Sequence, residues 1–240
     1  MKLKYISFVA FAMTLSLSSC YDLNRFPGDQ LSNEKFYRNE EHAKEAMMAV
    51  YNQMQKEDVF GLQFAMDGLG GIAMGYDPQS YQTIQRGTYD VKNGRVLGKW
   101  QNLYEGIARA NGVLQNVDRC QMSDELKVQY KAEAKFMRAL YYFTLMDFFG
   151  GVPLYDESVI VSESYSEMKN KRESIENMRA FILKDLKEAA DKLPEAWDKA
   201  NYGRATKYAA LAQMGKVYLY AKDYQHAKDC FQQVISSGKY

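Results

Sequence analysis

Apolar residues recur at steps of three and four along residues 123–151, and this period predicts the longest helix of the chain. Ser123 and the two acids after it favour a helix start, because a side-chain oxygen and negative charge stabilise the free N–H groups there. Gly150 or Gly151 can close the helix, and Pro153 cannot continue it. Apolar side chains occupy more than one face, so we expect packing partners on two sides. The stripe consists of Leu126, Tyr130, Ala134, Met137, Tyr141, Leu145 and Phe148, widened by Tyr142, Phe143 and Phe149.

Weaker helical patterns flank this stretch and predict antiparallel neighbours. Residues 100–119 precede it, and residues 175–193 and 204–220 follow it, with Pro194 ending the second of these patterns. Short connections between successive helices favour hairpins. A further helix near the start of the chain is predicted after Asn39, a favourable capping residue. Its predicted buried face consists of Ala43, Ala46, Met47, Val50, Tyr51 and Met54.

The last predicted hairpin has small and large residues at the offsets of a tetratricopeptide unit. Gly215 and Ala227 are small where two helices cross closely, while Tyr218 and Phe231 fill the space between hairpins. We therefore predict an all-α fold of tetratricopeptide-like hairpins, an α-solenoid, over residues 39–240. No polar capping repeat follows, so we expect this domain to be incomplete at its C-terminus. The matching positions are Leu211, Gly215, Tyr218, Tyr224, Ala227, Phe231 and Val234.

Residues 58–99 interrupt the helical pattern with many glycines. We predict a long irregular loop excursion here, with helix resuming at Trp100, which we expect to lie in the core. Residues 90–94 are predicted as a turn rather than a calcium loop, because the later ligands of an EF-hand are missing. Long loops inside a compact domain are often functional, which makes this excursion the candidate for binding.

The excursion combines aromatic rings with Asp, Gln and Arg, as a sugar site requires. Flat rings cover the apolar C–H face of a pyranose, while planar polar groups bind its hydroxyls. We predict that Asp67, Tyr76, Tyr81 and Arg86 are ligand-binding residues. The alternative for each of them is a packed loop whose tyrosines lie against the helices. Other candidates in the stretch are Phe60, Phe64, Asp77, Gln82, Gln85 and Tyr89.

The first residues have the layout of a bacterial lipoprotein signal. Lys2 and Lys4 precede a short apolar run, and Leu17-Ser18-Ser19-Cys20 resembles a lipobox. We predict a signal peptide at residues 1–19, a lipidated Cys20, and a polar tether at residues 20–38. The alternative is a plain secretory signal that ends near a cysteine. Stable attachment needs more than one acyl chain, each anchored by about 0.8 kcal/mol per buried CH₂.

Charge and residue spacing exclude several classes of function. A formal net charge of +1 gives no basic footprint for nucleic acid. The two histidines, His42 and His226, have no ligands at zinc-site spacing, and no nucleophile elbow or phosphate loop occurs, so we expect no metal, no cofactor and no enzyme. Cys120 and Cys230 either pair in an oxidising compartment or remain as two buried free thiols.

Several blocks in order resemble the SusD/RagB family. They are the lipobox with Cys20, Trp100-x-x-Leu103-Tyr104-x-x-Ile107 with Ala110-Asn111, Glu133-Ala134-Lys135-Phe136-Met137-Arg138-Ala139 with Phe149-Gly150-Gly151-Val152-Pro153-Leu154, and Gly203-Arg204-Ala205-Thr206-Lys207. The resemblance implies a helical lipoprotein of the outer membrane, facing the cell exterior, that holds an oligosaccharide or another nutrient. It further implies a TonB-dependent transporter as partner and no covalent chemistry. Family members are considerably longer than this chain.

The alternative function is a helical-repeat lipoprotein that binds other proteins and has no small ligand. In that case the aromatic residues of the excursion serve packing alone. Ring stacking does not discriminate among hexoses, so the sequence does not identify the glycan.

Overall fold

The computed structural model describes residues 36–61, 70–71, 75, 77–159 and 171–239. Within these ranges no β-strand occurs, and a single parallel bridge joins Asn39 to Gln121. A π-helix spans Glu57–Gly61, and 3₁₀ turns lie at Gln53–Gln55, Val117–Arg119 and Lys199–Asn201. The α-helices are α1 (Glu40–Asn52), α2 (Tyr81–Gln85), α3 (Gly94–Asn116), α4 (Asp124–Phe149), α5 (Ile175–Lys192), α6 (Lys207–Tyr220) and α7 (Tyr224–Ser236).

The long helix α4 begins and ends where the sequence predicts. Ser123 Oγ accepts a hydrogen bond from the Leu126 N–H at 3.3 Å, and Gly150 closes the helix with φ of 69°. That φ lies in the left-handed region, which glycine adopts at little cost. Helices α3 and α5 cover α4 on two sides, which confirms the expectation of two packing partners. Phe148 is the exception, because its side chain remains 40% exposed near the end of the helix.

Consecutive helices from α3 to α7 pack as antiparallel neighbours, and α1 packs on α3 and α4. Glycine permits two of these close crossings. A Cβ at Gly215 would lie 2.5 Å from the Phe231 ring, and a Cβ at Gly106 would lie 2.6 Å from the Tyr141 ring. The prediction of an all-α, tetratricopeptide-like stack of hairpins is confirmed, with Gly215 small for the predicted reason.

Ion clusters that the hydrophobic pattern does not reveal join the helices of the core. Arg138 of α4 donates to both carboxylate oxygens of Asp185 on α5, at 2.7 and 3.0 Å. Its third nitrogen donates to Asn111 of α3 at 2.7 Å and to Glu157 at 2.5 Å. Nearby, the fully buried Glu133 carboxylate accepts hydrogen bonds from Arg204 and from the Tyr51 hydroxyl.

A strap, residues 152–159, leaves α4 and crosses α3 without regular secondary structure. Side chains of the helices bind its backbone: Tyr104 Oη donates to the Pro153 carbonyl at 2.8 Å, and Asn111 Nδ2 donates to the Tyr155 carbonyl at 3.0 Å. Tyr142 Oη accepts from the Tyr155 N–H at 2.7 Å. Asn111 is therefore a buried amide whose hydrogen bonds fix the backbone of the strap.

Two expectations about residues 58–99 are wrong. Helix α3 begins at Gly94, six residues before Trp100, and the stretch also contains most of the π-helix and all of α2. The start of α3 is capped by Asn93, whose Oδ1 accepts from the N–H groups of Arg95 and Val96. The glycine at position 98 suggested a loop, but it is needed because the Asp58 carboxylate packs directly against it, where a Cβ would lie 2.2 Å from Oδ2.

Other expectations concern the cysteines and the domain boundary. Cys120 and Cys230 are both free and buried, which resolves the two alternatives in favour of free thiols. The signal peptide, Cys20 and most of the tether lie outside the described residues. The compact helical unit begins at Tyr37, a buried residue two positions before the predicted boundary.

Candidate functional site

The four predicted ligand residues fall into two groups. Asp67 and Tyr76 lie outside the described residues, so their contribution remains a prediction. Tyr81 and Arg86 are described, the first at the start of α2 and the second directly after its end. The structure therefore brings Tyr81 and Arg86 onto one short helical turn, which is followed by a loop that leads to α3.

Tyr81 lies inside the protein. Its side chain is only 4% exposed, and the Arg95 guanidinium carbon lies 4.6 Å from the centre of its ring. On another side the backbone of Gly75 approaches so closely that a Cβ there would lie 2.3 Å from Tyr81 Cβ. A ring in this position has almost no exposed face to offer a sugar.

Arg86 is exposed, and its guanidinium group is accessible to solvent. The described hydrogen bond of its guanidinium runs from Nη2 to Oε1 of Gln82, one helical turn earlier, at 3.1 Å. Tyr89, three positions later, has 46% of its surface exposed. A guanidinium and an aromatic ring so close along the chain match the chemistry of a sugar contact, one for hydroxyls and the other for the C–H face.

The glutamine side chains of α2 form hydrogen bonds with the protein's own backbone. Gln82 Nε2 donates to the Gly75 carbonyl at 3.1 Å, and Gln85 Oε1 accepts from the Gly75 N–H at 3.2 Å. Both amides therefore hold the backbone that precedes the helix. Sequence reasoning could only group them with sugar-binding candidates, because five residues show no helical period.

Asp77 organises the turn before α2. One of its oxygens accepts from the Gln79 N–H at 2.9 Å, and the other accepts from the Ser80 hydroxyl. These bonds to Ser80 and Gln79 hold the pKa of the Asp77 carboxyl below its ordinary value. The carboxylate is partly exposed, and its visible role is to shape the turn.

The first turns of α3 form hydrogen bonds both with the π-helix and with the residues at the start of α2. Arg95 donates from Nη1 to Glu57 at 2.7 Å and to Asp58 at 3.2 Å, both at the start of the π-helix. Lys99 Nζ donates to the Val59 carbonyl at 2.9 Å, and burial lowers the pKa of this amine. Asn93 Nδ2 donates to the Ser80 carbonyl at 3.1 Å. Sequence reasoning missed these residues, since only their partners, distant in sequence, show what they do.

An aromatic cluster lies at the same end of α3. Trp100 packs against Tyr104 and Phe149 with ring centres 5.0 and 5.1 Å apart, and Arg172 lies 5.9 Å from its ring. These contacts place Trp100 in the packing between α3 and α4. The exposed apolar side chains nearby on α3 and α4 are Leu97 and Phe148.

The rest of the described chain offers little reactive chemistry. Within its ranges no three His, Cys, Asp or Glu side chains are arranged to hold a metal ion. A cavity of about 220 Å³ lies between α4 and α5, and none of the predicted ligand residues lines it. Among the helices described, none is long and apolar enough to cross a bilayer. The cavity is lined by Val128, Lys131, Ala132, Lys135, Glu188, Asp191 and Lys192.

The family to which these helices belong follows from a sequence match. A model of SusD-like proteins, described as starch-binding and associating with the outer membrane, matches residues 28–219. The chain belongs to the SusD-like family. Both the resemblance carried by the sequence blocks and the fold are thereby confirmed. SusD-like proteins bind carbohydrate and are not catalysts.

Individual SusD-like relatives show the extent of the match. SusD-like protein P25 of Formosa agariphila is 25% identical over 237 residues, which cover 92% of this chain and 44% of the relative. A SusD-like protein of Bacteroides ovatus is 28% identical over 222 residues, which cover 91% of this chain and 39% of the relative. The chain thus spans less than half the length of these curated relatives.

Solved SusD-like structures share the helical stack. A laminarin-binding SusD-like protein superposes with a TM-score of 0.74 at 30% identity, covering 82% of this chain and 44% of that protein. A SusD-like carbohydrate-binding protein of Bacteroides fragilis superposes with a TM-score of 0.73 at 23% identity. The match covers 85% of this chain and 41% of that protein. The second likeness concerns the fold alone.

Proposed function

We propose that this chain is a cell-surface glycan-binding lipoprotein. It captures oligosaccharides, or other nutrients, and passes them to a partner TonB-dependent transporter of the outer membrane. It binds without catalysing a reaction, and it is held at the membrane by lipid on Cys20. The observation that carries the proposal is the match to the SusD-like family over residues 28–219, with its description as starch-binding and outer-membrane-associated.

The structure supports a particular place for the sugar contacts. Arg86 and Tyr89 are exposed just after α2, and Asp67 and Tyr76 belong to the same stretch of sequence. The laminarin-binding relative, at 30% identity, makes a β-glucan a reasonable first ligand to try beside starch. The buried clusters around Arg138 and Glu133 have their polar groups engaged within the helices and serve the scaffold.

Native affinity electrophoresis of the full chain in gels containing starch or laminarin tests the proposal. Retention of the unaltered chain by either polysaccharide supports it. We expect Asp67→Asn, Tyr76→Ala and Arg86→Ala each to weaken retention by about tenfold, the loss of one good polar or stacking contact. Tyr202→Ala is the matched control, because this tyrosine is 74% exposed but lies between α5 and α6.

Anchoring and partnership require separate measurements. Metabolic labelling with a fatty-acid analogue should mark the wild-type chain and leave Cys20→Ser unlabelled and released from membranes. Co-purification from native membranes should recover a TonB-dependent barrel. A chain that is retained by no polysaccharide but brings down other proteins would instead favour the helical-repeat scaffold.

A further inference from the structure

Arg95 joins the two described ends of the predicted binding region. Its guanidinium bonds Glu57 and Asp58, where residues 58–99 begin, and stacks on Tyr81 of α2, further along the same stretch. These partners stand 38, 37 and 14 residues from Arg95 along the chain. A planar guanidinium suits this arrangement, because its edge forms hydrogen bonds while its face covers a ring.

The helix that Arg95 covers depends on such contacts. Helix α2 has only five residues, and an isolated helix of that length is not stable in water. Asn93 at the start of α3 adds further attachments, because its side chain donates to the Ser80 carbonyl and to Thr83 Oγ1 at 3.0 Å. The exposed Arg86 and Tyr89 follow directly, so the contacts of Tyr81 set where these two side chains stand.

We infer that Arg95 is a positioning residue for glycan binding. It touches no ligand itself; it acts through Tyr81 on one side and through Glu57 and Asp58 on the other, and fixes the two ends of the binding region relative to α3. This inference rests on the proposed function, since it concerns the same region. It adds that binding depends on a half-buried cation outside the contact surface.

Arg109 supplies a matched control on the same helix. Its side chain is exposed to a similar degree, it pairs with Glu105, and its Nη1 donates to the Ala49 carbonyl of α1 at 2.8 Å. It too bridges two elements, α3 and α1, but its contacts lie outside residues 58–99. Removing Arg95 or Arg109 therefore deletes the same charge and similar packing from α3.

The first test measures hydrogen exchange of the full, ligand-free chain by mass spectrometry. In Arg95→Ala we expect exchange to quicken about fivefold or more both at residues 57–61 and at residues 81–87, and to stay unchanged there in Arg109→Ala. Arg95→Lys should fall between, because an ammonium keeps the charge but loses the flat fork. Faster exchange at only one end, or equal effects in both alanine variants, would overturn the inference.

A second variant keeps the inference testable if Arg95→Ala does not fold. Tyr81→Leu removes the ring but keeps an apolar side chain, and we expect it to quicken exchange at residues 57–61, which Tyr81 reaches through Arg95. The same substitution in an Arg95→Lys background should have a smaller effect there. No effect of Tyr81→Leu at residues 57–61 would overturn the inference.

Glycan retention then separates the inference from the proposed function. If the unaltered chain binds starch or laminarin, Arg95→Ala should weaken retention about tenfold, Arg95→Lys less, and Arg109→Ala not at all. Unchanged retention in Arg95→Ala would overturn the positioning role while the proposed function stands. If the unaltered chain is retained by no glycan, the proposed function fails, and exchange at the two ends still decides whether Arg95 couples them.

Discussion

Two arginines join distant parts of this chain, Arg138 in the core and Arg95 at the surface. Arg138 and its partner Asp185 are 2% and 3% exposed, whereas Arg95 keeps 26% of its side chain accessible. In the core, Arg138 binds both oxygens of Asp185 in place of water, so each charge depends on its partner. At the surface, water can replace a lost partner, and the ion pairs decide local placement more than global stability.

The largest effect is expected from Arg138→Ala. The substitution leaves the Asp185 carboxylate buried without its partner, and removal of one member of such a pair costs about 3–5 kcal/mol. Urea unfolding followed by circular dichroism measures the loss. The double variant Arg138→Met with Asp185→Leu should recover most of it, since no buried charge remains. A loss below about 1 kcal/mol in Arg138→Ala would place the core pair in the same class as the surface one.

Asn111→Ala is expected to lower the free energy of unfolding by a smaller amount. Asn111 accepts from Arg138 and donates to the Tyr155 carbonyl, so the substitution removes two hydrogen bonds around a buried cation. The cost should be about 1–3 kcal/mol in urea unfolding, because buried partners are left unsatisfied. Asn116→Ala on the same helix is the control, because its amide donates to the Gly112 carbonyl and accepts from the exposed Arg119 side chain, outside the buried cluster. Equal losses in the two variants would contradict a special role for the buried cluster.

Arg95→Ala should lower the free energy of unfolding by less than about 1 kcal/mol, because its carboxylate partners reach solvent. The same variant is expected to change hydrogen exchange at two distant segments, so the global and local effects should separate. Urea unfolding beside Arg138→Ala makes the comparison direct. A loss as large as that of Arg138→Ala would remove the distinction between the two regions.

The smallest expected effect is on the pH dependence of the unfolding free energy. It comes from Glu157, which pairs with Arg138 at the rim of the core. Burial raises the pKa of its carboxyl, but the hydrogen bond and the charge of Arg138, together with a backbone hydrogen bond, outweigh burial and leave the pKa below its ordinary value. The unfolded state therefore binds the proton more readily. The stabilisation is complete above the unfolded pKa of about 4.3 and is lost as pH falls towards the folded pKa.

Comparison of the wild type with Glu157→Gln at about pH 6 and about pH 3.5 measures this contribution. The side chain is 41% exposed, so screening reduces the expected difference in unfolding free energy to about 0.5 kcal/mol at the higher pH. At the lower pH the difference should shrink, because the protonated carboxyl resembles the amide. A difference of equal size at both values would contradict the sign derived from the pKa.

Much of the scaffold could be predicted because its signals are local. Ser123 and Gly150 mark the ends of α4 by hydrogen bonding and backbone conformation within a few residues. Gly215 opposes Phe231 within one hairpin. The start of α3 could not be predicted, because the space that Gly98 leaves is filled by Asp58, forty positions away in sequence.

The candidate site was predicted less well, also for a physical reason. Residue type suggested that Tyr81 would contact a sugar, but a five-residue helix has too few positions to show which side faces the protein. Arg95 was not singled out at all, since a charged residue among glycines looks solvated until its three partners are known. Asp67 and Tyr76 lie outside the described residues, and their role stays a prediction.

The strap after α4 is held through its main chain. Tyr104, Asn111 and Gln115 donate to carbonyl oxygens of residues 153, 155, 157 and 159, which every amino acid possesses. These hydrogen bonds therefore do not depend on the identity of most side chains in the strap. Position 158 is exposed and therefore open to diversification by design, and new recognition chemistry could be installed there without rebuilding the helices beneath.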